Sequence, residues 1–316
     1  MMIDRFVWSG PPPSRLALGC EPLGGTDWGD VDLDNARLAV STALDVGITV
    51  FDTADVYGLG RSEEELAAAL GPRRHDAFIV TKFGVRWERD PSGGRARTFR
   101  DSSPAHLTAA LEASLRRLRI DAVPLYLVHW PDPATPIDDT LEVLRDARTA
   151  GKVLNFGLSN FTPDDVEKGA GLGIAAVEAQ FNLIDLNSSR GVWEVAGRHG
   201  LARIAYGPLA QGLLTGKYDQ MSRFPPSDRR SRLPHFDARQ WERNRRILGA
   251  LEEVAKRRGV TTAQVALRWV LDCSMVDMAV VGGRSPDQVV ANAAAETWML
   301  EADEVAALTQ AAILEA

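Results

Sequence analysis

Short apolar runs alternate along this chain with longer stretches in which apolar positions recur every three or four residues. The short runs, rich in Val, Ile, Leu and Phe, read as buried strands; the longer ones read as amphipathic helices. Strands are expected over 15–19, 48–51, 77–81, 123–128, 153–157, 175–179, 201–205 and 278–281. Helices are expected over 34–46, 61–70, from Pro104 to the SLRRL run, over 137–150, from Pro163, over 188–199, within 240–272, and over 286–295 and 302–313. Ser62 with Glu65 three residues later reads as a capping box, and Ser102 or Ser103 as a cap. Residues 3–9 are expected to add a short strand before the prolines at 11–13.

Eight strands alternating with helices, with no linker or low-complexity segment, predict one (β/α)8 TIM barrel over 1–316 with additional helices. A doubly wound sheet is the structural rival. Its dinucleotide fingerprint fails at Gly58 and Gly60, because Glu63 stands where a third glycine is needed. At 316 residues and 45% apolar, the chain can fill one large core. The net charge of −7 argues against general nucleic-acid binding. Two cysteines are too few for a disulfide framework, and no apolar run suits a signal peptide or a membrane span. A soluble cytoplasmic protein without a membrane partner is expected, with no metal site.

The chemistry concentrates where strands end, which in such a barrel is the mouth that carries active sites. ITVFDTADVYGLG brings Asp52 and Tyr57, VTKFG brings Lys82, and YLVHWP brings His129. A phenol can pass a proton if its pKa is tuned, and a nearby ammonium favours phenolate. A carboxylate beside the lysine would fix its position, and the histidine could hydrogen-bond a carbonyl oxygen. The set suits reduction of a carbonyl by a hydride donor, with Tyr57 as the acid. After the fifth and sixth strands, Ser159, Asn160 and Gln180 offer the donors and acceptors that a carboxamide needs. Tyr206 offers a flat apolar floor; Gly282 and Gly283 permit close backbone approach to a phosphate, and Arg284 could fork onto one.

With these blocks in order, and with GKVLNFGLSNF, EAQFNL, AYGPLAQGLLTGKY and VVGGRSPDQVVAN, the chain resembles the aldo-keto reductase family over nearly its whole length. The resemblance implies a catalytic tetrad of Asp52, Tyr57, Lys82 and His129, and NADPH/NADP+ as cofactor, with NADH possible. It implies Ser159, Asn160 and Gln180 on the nicotinamide carboxamide and Tyr206 stacked on the ring. Gly207, Leu209 and Gln211 would lie along the pyrophosphate, and Arg284, Gln288 and Asn292 around the adenosine end. Two positions depart from the family pattern: Gly207 where many members carry serine, and Ala291 where many carry glutamate.

The implied activity is interconversion of an aldehyde, ketone or sugar-type carbonyl with an alcohol. An NAD-dependent sugar dehydrogenase and a non-catalytic cofactor-binding subunit are the alternatives. Trp28, Trp87 and Trp130 are expected to shape an open substrate mouth, the chain ending soon after its last helix. The loops 84–103 and 217–239 are both net positive and are expected to rim that mouth, where they could steer an anionic ligand.

Overall fold

A computed structural model describes residues 5–91 and 96–313. Within them, eight parallel strands close into a barrel. In chain order these are β1 (Leu16–Gly19), β2 (Val50–Asp52), β3 (Phe78–Phe83), β6 (Val123–Val128), β7 (Val153–Ser159), β8 (Ala176–Gln180), β9 (Ala202–Tyr206) and β10 (Met278–Gly282). β1 pairs with both β2 and β10, which closes the ring. The intervening β4 (Val85–Glu88) and β5 (Arg97–Arg100) form an antiparallel hairpin outside the barrel, a feature the sequence pattern did not predict.

The period of two along each strand divides the core into two shells. Ala17, Val50, Phe78, Val80, Leu125, Leu127, Ala176, Ala202, Ile204 and Met278 pack together inside the barrel. Their neighbours Leu16, Leu18, Phe51, Ile79, Phe83, Tyr126 and Val128 face the helices. Those helices include α1 (Leu33–Asp45), α2 (Arg61–Leu70), α3 (Pro104–Leu118), α4 (Ile137–Thr149), α5 (Pro163–Gly171), α6 (Arg190–Arg198), α7 (Trp241–Arg258), α8 (Thr262–Asp272), α9 (Pro286–Ala293) and α10 (Ala302–Ile313). The parity of β3 has a chemical consequence. Lys82 continues the inward series of Phe78 and Val80, so its ammonium stem enters the barrel at the top layer.

Two local expectations are corrected. Among the described residues of 5–9 there is no strand. Instead Phe6 and Trp8 plug the bottom of the barrel against Phe78, with ring centroids 5.1 and 5.4 Å away. Asn155 holds this segment, accepting from the Val7 amide and donating to the Val7 carbonyl. Nor is Ser62 the cap of α2: Gly60 occupies that position, and Ser62 Oγ instead bonds the Cys20 carbonyl and Thr53 Oγ1. Glu65 turns to Arg37. Ser103 does cap α3, accepting from the His106 amide.

The turn after β2 is pinned by a backbone crossing. Gly58 has φ +59°, and a Cβ there would lie 2.3 Å from the Gly24 carbonyl oxygen. Tyr57 is the residue before it, so this crossing fixes where the phenol is delivered. Gly58→Ala should lower the unfolding free energy by about 1–3 kcal/mol through backbone strain. Urea denaturation reads this directly, and a loss below about 0.5 kcal/mol would show that the crossing relaxes at little cost.

Candidate active site

The inward positions that end the strands are polar where the layers beneath are apolar. Asp52 closes β2, Lys82 sits near the end of β3, His129 follows β6, Ser159 closes β7 and Glu178 lies on β8. All are buried. Lys82 Nζ donates to Asp52 Oδ1 at 2.7 Å, to Asp52 Oδ2 at 2.6 Å and to the Thr53 carbonyl at 3.1 Å. Its side chain is only 1% exposed, so this ion pair has almost no water to fall back on. Glu178 Oε2 lies 3.6 Å from the same ammonium.

Tyr57 stands over this cluster, its ring centroid 5.7 Å from Lys82 Nζ. Its ring meets that of His129 edge-on at 5.8 Å. Burial would push the Lys82 ammonium toward neutrality, but Asp52, Glu178 and Tyr57 together hold its pKa well above the usual value. For Tyr57 the balance differs from the sequence expectation. Burial raises the phenol well above its ordinary pKa; Lys82 pulls it down, but Glu21, Asp52 and Glu178 push with the burial. The phenol therefore keeps its proton. Burial, then the positive charges of Lys82, Arg100 and Arg229, hold His129 well below its usual value. A neutral imidazole beside a protonated phenol can bind a carbonyl oxygen without competing to donate the proton.

A cavity of about 1900 Å³ opens over this floor. Asp52, Tyr57, His129, Asn160, Glu178 and Tyr206 line one end of its wall; Arg284, Gln288 and Asn292 line another part. Between strand ends a hydrogen-bonded chain is already set: Tyr206 donates to Asn160 Oδ1 at 2.7 Å, and Asn160 Nδ2 donates to Ser159 Oγ and the His129 carbonyl. Ser159 Oγ then donates to Glu178 Oε1 at 3.0 Å. Ser285 caps α9, whose first turn places Gln288 Oε1 on the Arg284 amide. Gly207, Leu209, Gln211 and Gly282 also line the cavity. Two buried oxygens that accept no hydrogen bond, Glu178 Oε2 and Gln211 Oε1, belong to residues of the wall. The donor set, a flat phenol ring and a helix N-terminus beside an arginine fit a dinucleotide.

Several expected residues are placed differently. Gln180 does not line the cavity; it lies at the strand's end, bonded to Asp185, and the side chain that meets Ser159 is Glu178. Sequence reasoning passed over Glu178, although it shares the inward parity of Ala176 and interrupts an apolar strand. Gly283 is packed against Val289 and Leu18, where a Cβ would meet Val289 at 2.9 Å, so its glycine serves packing. Trp28 and Trp130 line the cavity, but Trp87, on β4, does not.

The basic rim also divides. Arg229 pairs with Glu21, Arg230 with Asp228, Arg232 with Asp27 and Arg239 with Asp237, so much of the second loop is neutralised. On the hairpin, Arg86 pairs with Glu88 and Asp101, whereas Arg100 stacks on Trp130 at 4.4 Å without an acidic partner among the described residues. Arg95 lies outside the described residues.

Because this ammonium is bonded to the buried Asp52 carboxylate and faces the Glu178 carboxyl, removing it should be costly. Lys82→Met is expected to lower the unfolding free energy by about 3–5 kcal/mol, as breaking a buried ion pair from one side does. A chemical-denaturation loss under about 1 kcal/mol would contradict this reading of the floor.

The chain resembles known proteins in fold and sequence. The glycerol dehydrogenase structure from Gluconobacter oxydans superposes with a TM-score of 0.88 at 35% identity, covering 97% of this chain and 93% of that one. The NADH-specific methylglyoxal reductase of Escherichia coli (strain K12) is 30% identical over 297 residues, 89% of each chain. The NADP(+) aldo-keto reductase yakc of Schizosaccharomyces pombe is 31% identical over 245 residues, 75% of this chain and 71% of that one. The profile of the Aldo/keto reductase family matches residues 15–313. The chain therefore belongs to the aldo/keto reductase family, NAD(P)H-dependent oxidoreductases of carbonyls and alcohols.

Proposed function

We propose that this chain is an NADP(H)-dependent oxidoreductase whose Tyr57 gives a proton to a carbonyl oxygen in reduction and takes it back in oxidation. The observation that carries this is the convergence of a proton-holding Tyr57 and a neutral His129 over the buried Lys82–Asp52 pair. The dinucleotide, when bound, supplies or accepts the hydride. His129 orients the carbonyl oxygen toward the phenol. Lys82, held by Asp52, stabilises the phenolate left once the proton has gone, which lowers the barrier to donation. Ser159, Asn160 and Glu178 would hold the carboxamide and Tyr206 the ring face, with Gly207, Leu209 and Gln211 along the pyrophosphate. Trp28 and Trp130 would bound the substrate. The two free thiols, Cys20 and Cys273, suit the expected cytoplasmic location.

Preference for NADP(H) rests on Arg284, which lines the cavity beside Gln288 and Asn292. The relatives point both ways, since one is named for NADP(+) and another is NADH-specific. The glycerol dehydrogenase neighbour favours a second reading, oxidation of a polyol or sugar, for which the NADH-specific relative makes NAD the candidate cofactor. Turnover of a panel of aldehydes, ketones, sugars and polyols with each cofactor separates the two.

Tyr57→Phe should lose about 10²–10⁴-fold in turnover, the usual contribution of general acid catalysis, while cofactor still binds. Turnover near the wild-type rate would remove Tyr57 from the role. Arg284→Ala should weaken NADPH binding by one to two decades, about 1.5–3 kcal/mol, and NADH binding far less. Equal losses measured by fluorescence titration would mean that Arg284 does not read the 2′-phosphate.

A further inference from the structure

Glu178 takes no part in the proton transfer described above, yet it lies in the cavity wall at the end where that transfer would occur. Its side chain is 3% exposed. Oε1 accepts from Ser159, whereas Oε2 accepts no hydrogen bond, and the carboxyl as a whole also meets that of Asp52. Lys82 is the nearest cation, at 3.6 Å, but its three donors already go to the two Asp52 oxygens and the Thr53 carbonyl. One ammonium thus faces two carboxylates. When both are ionised, a surplus negative charge remains in the wall, next to the Ser159–Asn160–Tyr206 chain.

On the cofactor reading given above, that chain is where the nicotinamide end of the dinucleotide would lie. The oxidised ring is a cation and the reduced ring is neutral, while the riboses and phosphates are the same in both. A surplus charge in a site with little water therefore acts on the difference between the two forms. We propose that Glu178 makes this site bind the oxidised dinucleotide in preference to the reduced one, and that the preference is switched on by ionisation of its carboxyl. A glutamine at 178 could hold a carboxamide equally well but would carry no such charge.

The groups that face Glu178 decide when the switch operates. Asp52 faces it from β2, Lys82 from β3, Ser159 and Asn160 from the end of β7, and Tyr206 from β9. Tyr57 and His129 complete the floor, and the Glu21–Arg229 pair stands beyond Tyr57. Burial first, then the charge of Asp52 and a hydrogen bond between the two carboxyls, push Glu178 up to about 8, against Lys82 and Ser159. Below that pH the group is neutral; above it the wall carries the extra charge. Tyr57, Tyr206 and Lys82 are held higher and His129 lower, so they keep their charge states across this window. By linkage, binding the oxidised form near pH 8 should release part of a proton from Glu178, whereas binding the reduced form should not.

The test is equilibrium binding of NADP+ and NADPH to the full chain and to Glu178→Gln at pH 6.5 and 9.5, by fluorescence or calorimetry. In the wild type the preference for NADP+ over NADPH should rise about ten-fold between the two pH values, the effect of one neighbouring charge. In Glu178→Gln that ratio should be independent of pH. A constant ratio in the wild type, or a rise that survives in the variant, overturns the proposal. Should Glu178→Gln not fold, proton release by the wild type at pH 8 decides: release with NADP+ alone supports the proposal, and equal release with both forms overturns it. If the wild type binds neither NADP(H) nor NAD(H), the cofactor reading falls and the inference with it. If both forms bind with an unvarying ratio, only the inference falls.

Discussion

The structure depends on keeping an ammonium inside a barrel. An isolated lysine at that depth would lose its charge, because the desolvation cost of a buried ion is several kcal/mol. Lys82 keeps it through both oxygens of Asp52, delivered from the neighbouring strand at hydrogen-bond distance. The pairing requires β2 and β3 in their observed register and Lys82 on the inward parity, so the geometry of the sheet and the charge state of the site are one constraint. The neighbouring groups of the floor respond to that positive charge: His129 is held neutral partly by it, and the Tyr57 phenol is poised between it and the acidic groups Glu21, Asp52 and Glu178.

On the proposed role of Tyr57, this arrangement lets a group that holds its proton so firmly still act as an acid. Burial disfavours phenolate in the free enzyme, whereas Lys82 stands ready to stabilise it as the proton leaves. The crossing of Gly24 and Gly58 sets the phenol beside the imidazole, and the hydrogen-bonded chain from Tyr206 to Glu178 fixes the adjoining wall before any ligand arrives. Positioning in advance is what lets fixed dipoles and charges act without reorganisation.

The barrel and the convergence of Asp52, Tyr57, Lys82 and His129 were legible in the sequence because both are written in strand ends. Apolar runs terminate in Asp52, Lys82 and His129, and the period of two sends those residues into the same layer. The N-terminal segment was misread because Phe6 and Trp8 have strand propensity but plug the barrel instead of pairing, a tertiary choice that propensity does not encode. The β4–β5 hairpin was hidden in a polar loop, since every β5 residue is exposed and only Val85 of β4 is buried. Ser62 carried a capping-box spacing, but its hydroxyl was claimed by Cys20 and Thr53. Gln180 drew the assignment because an amide suits a carboxamide on chemical grounds, and Glu178 was passed over; strand position, not side-chain type, decides which one reaches Ser159. Arginine content in the second loop suggested a field that pairing with local acids largely cancels.

The central claim is that burial, and not the lysine, governs the Tyr57 proton in the free enzyme. Ultraviolet difference titration of the wild type against Tyr57→Phe isolates the ionisation of that one phenol. No phenolate attributable to Tyr57 should form up to about pH 10, the ordinary phenol value. Appearance of its phenolate band below about pH 9 would show that Lys82 wins over burial and would contradict the account.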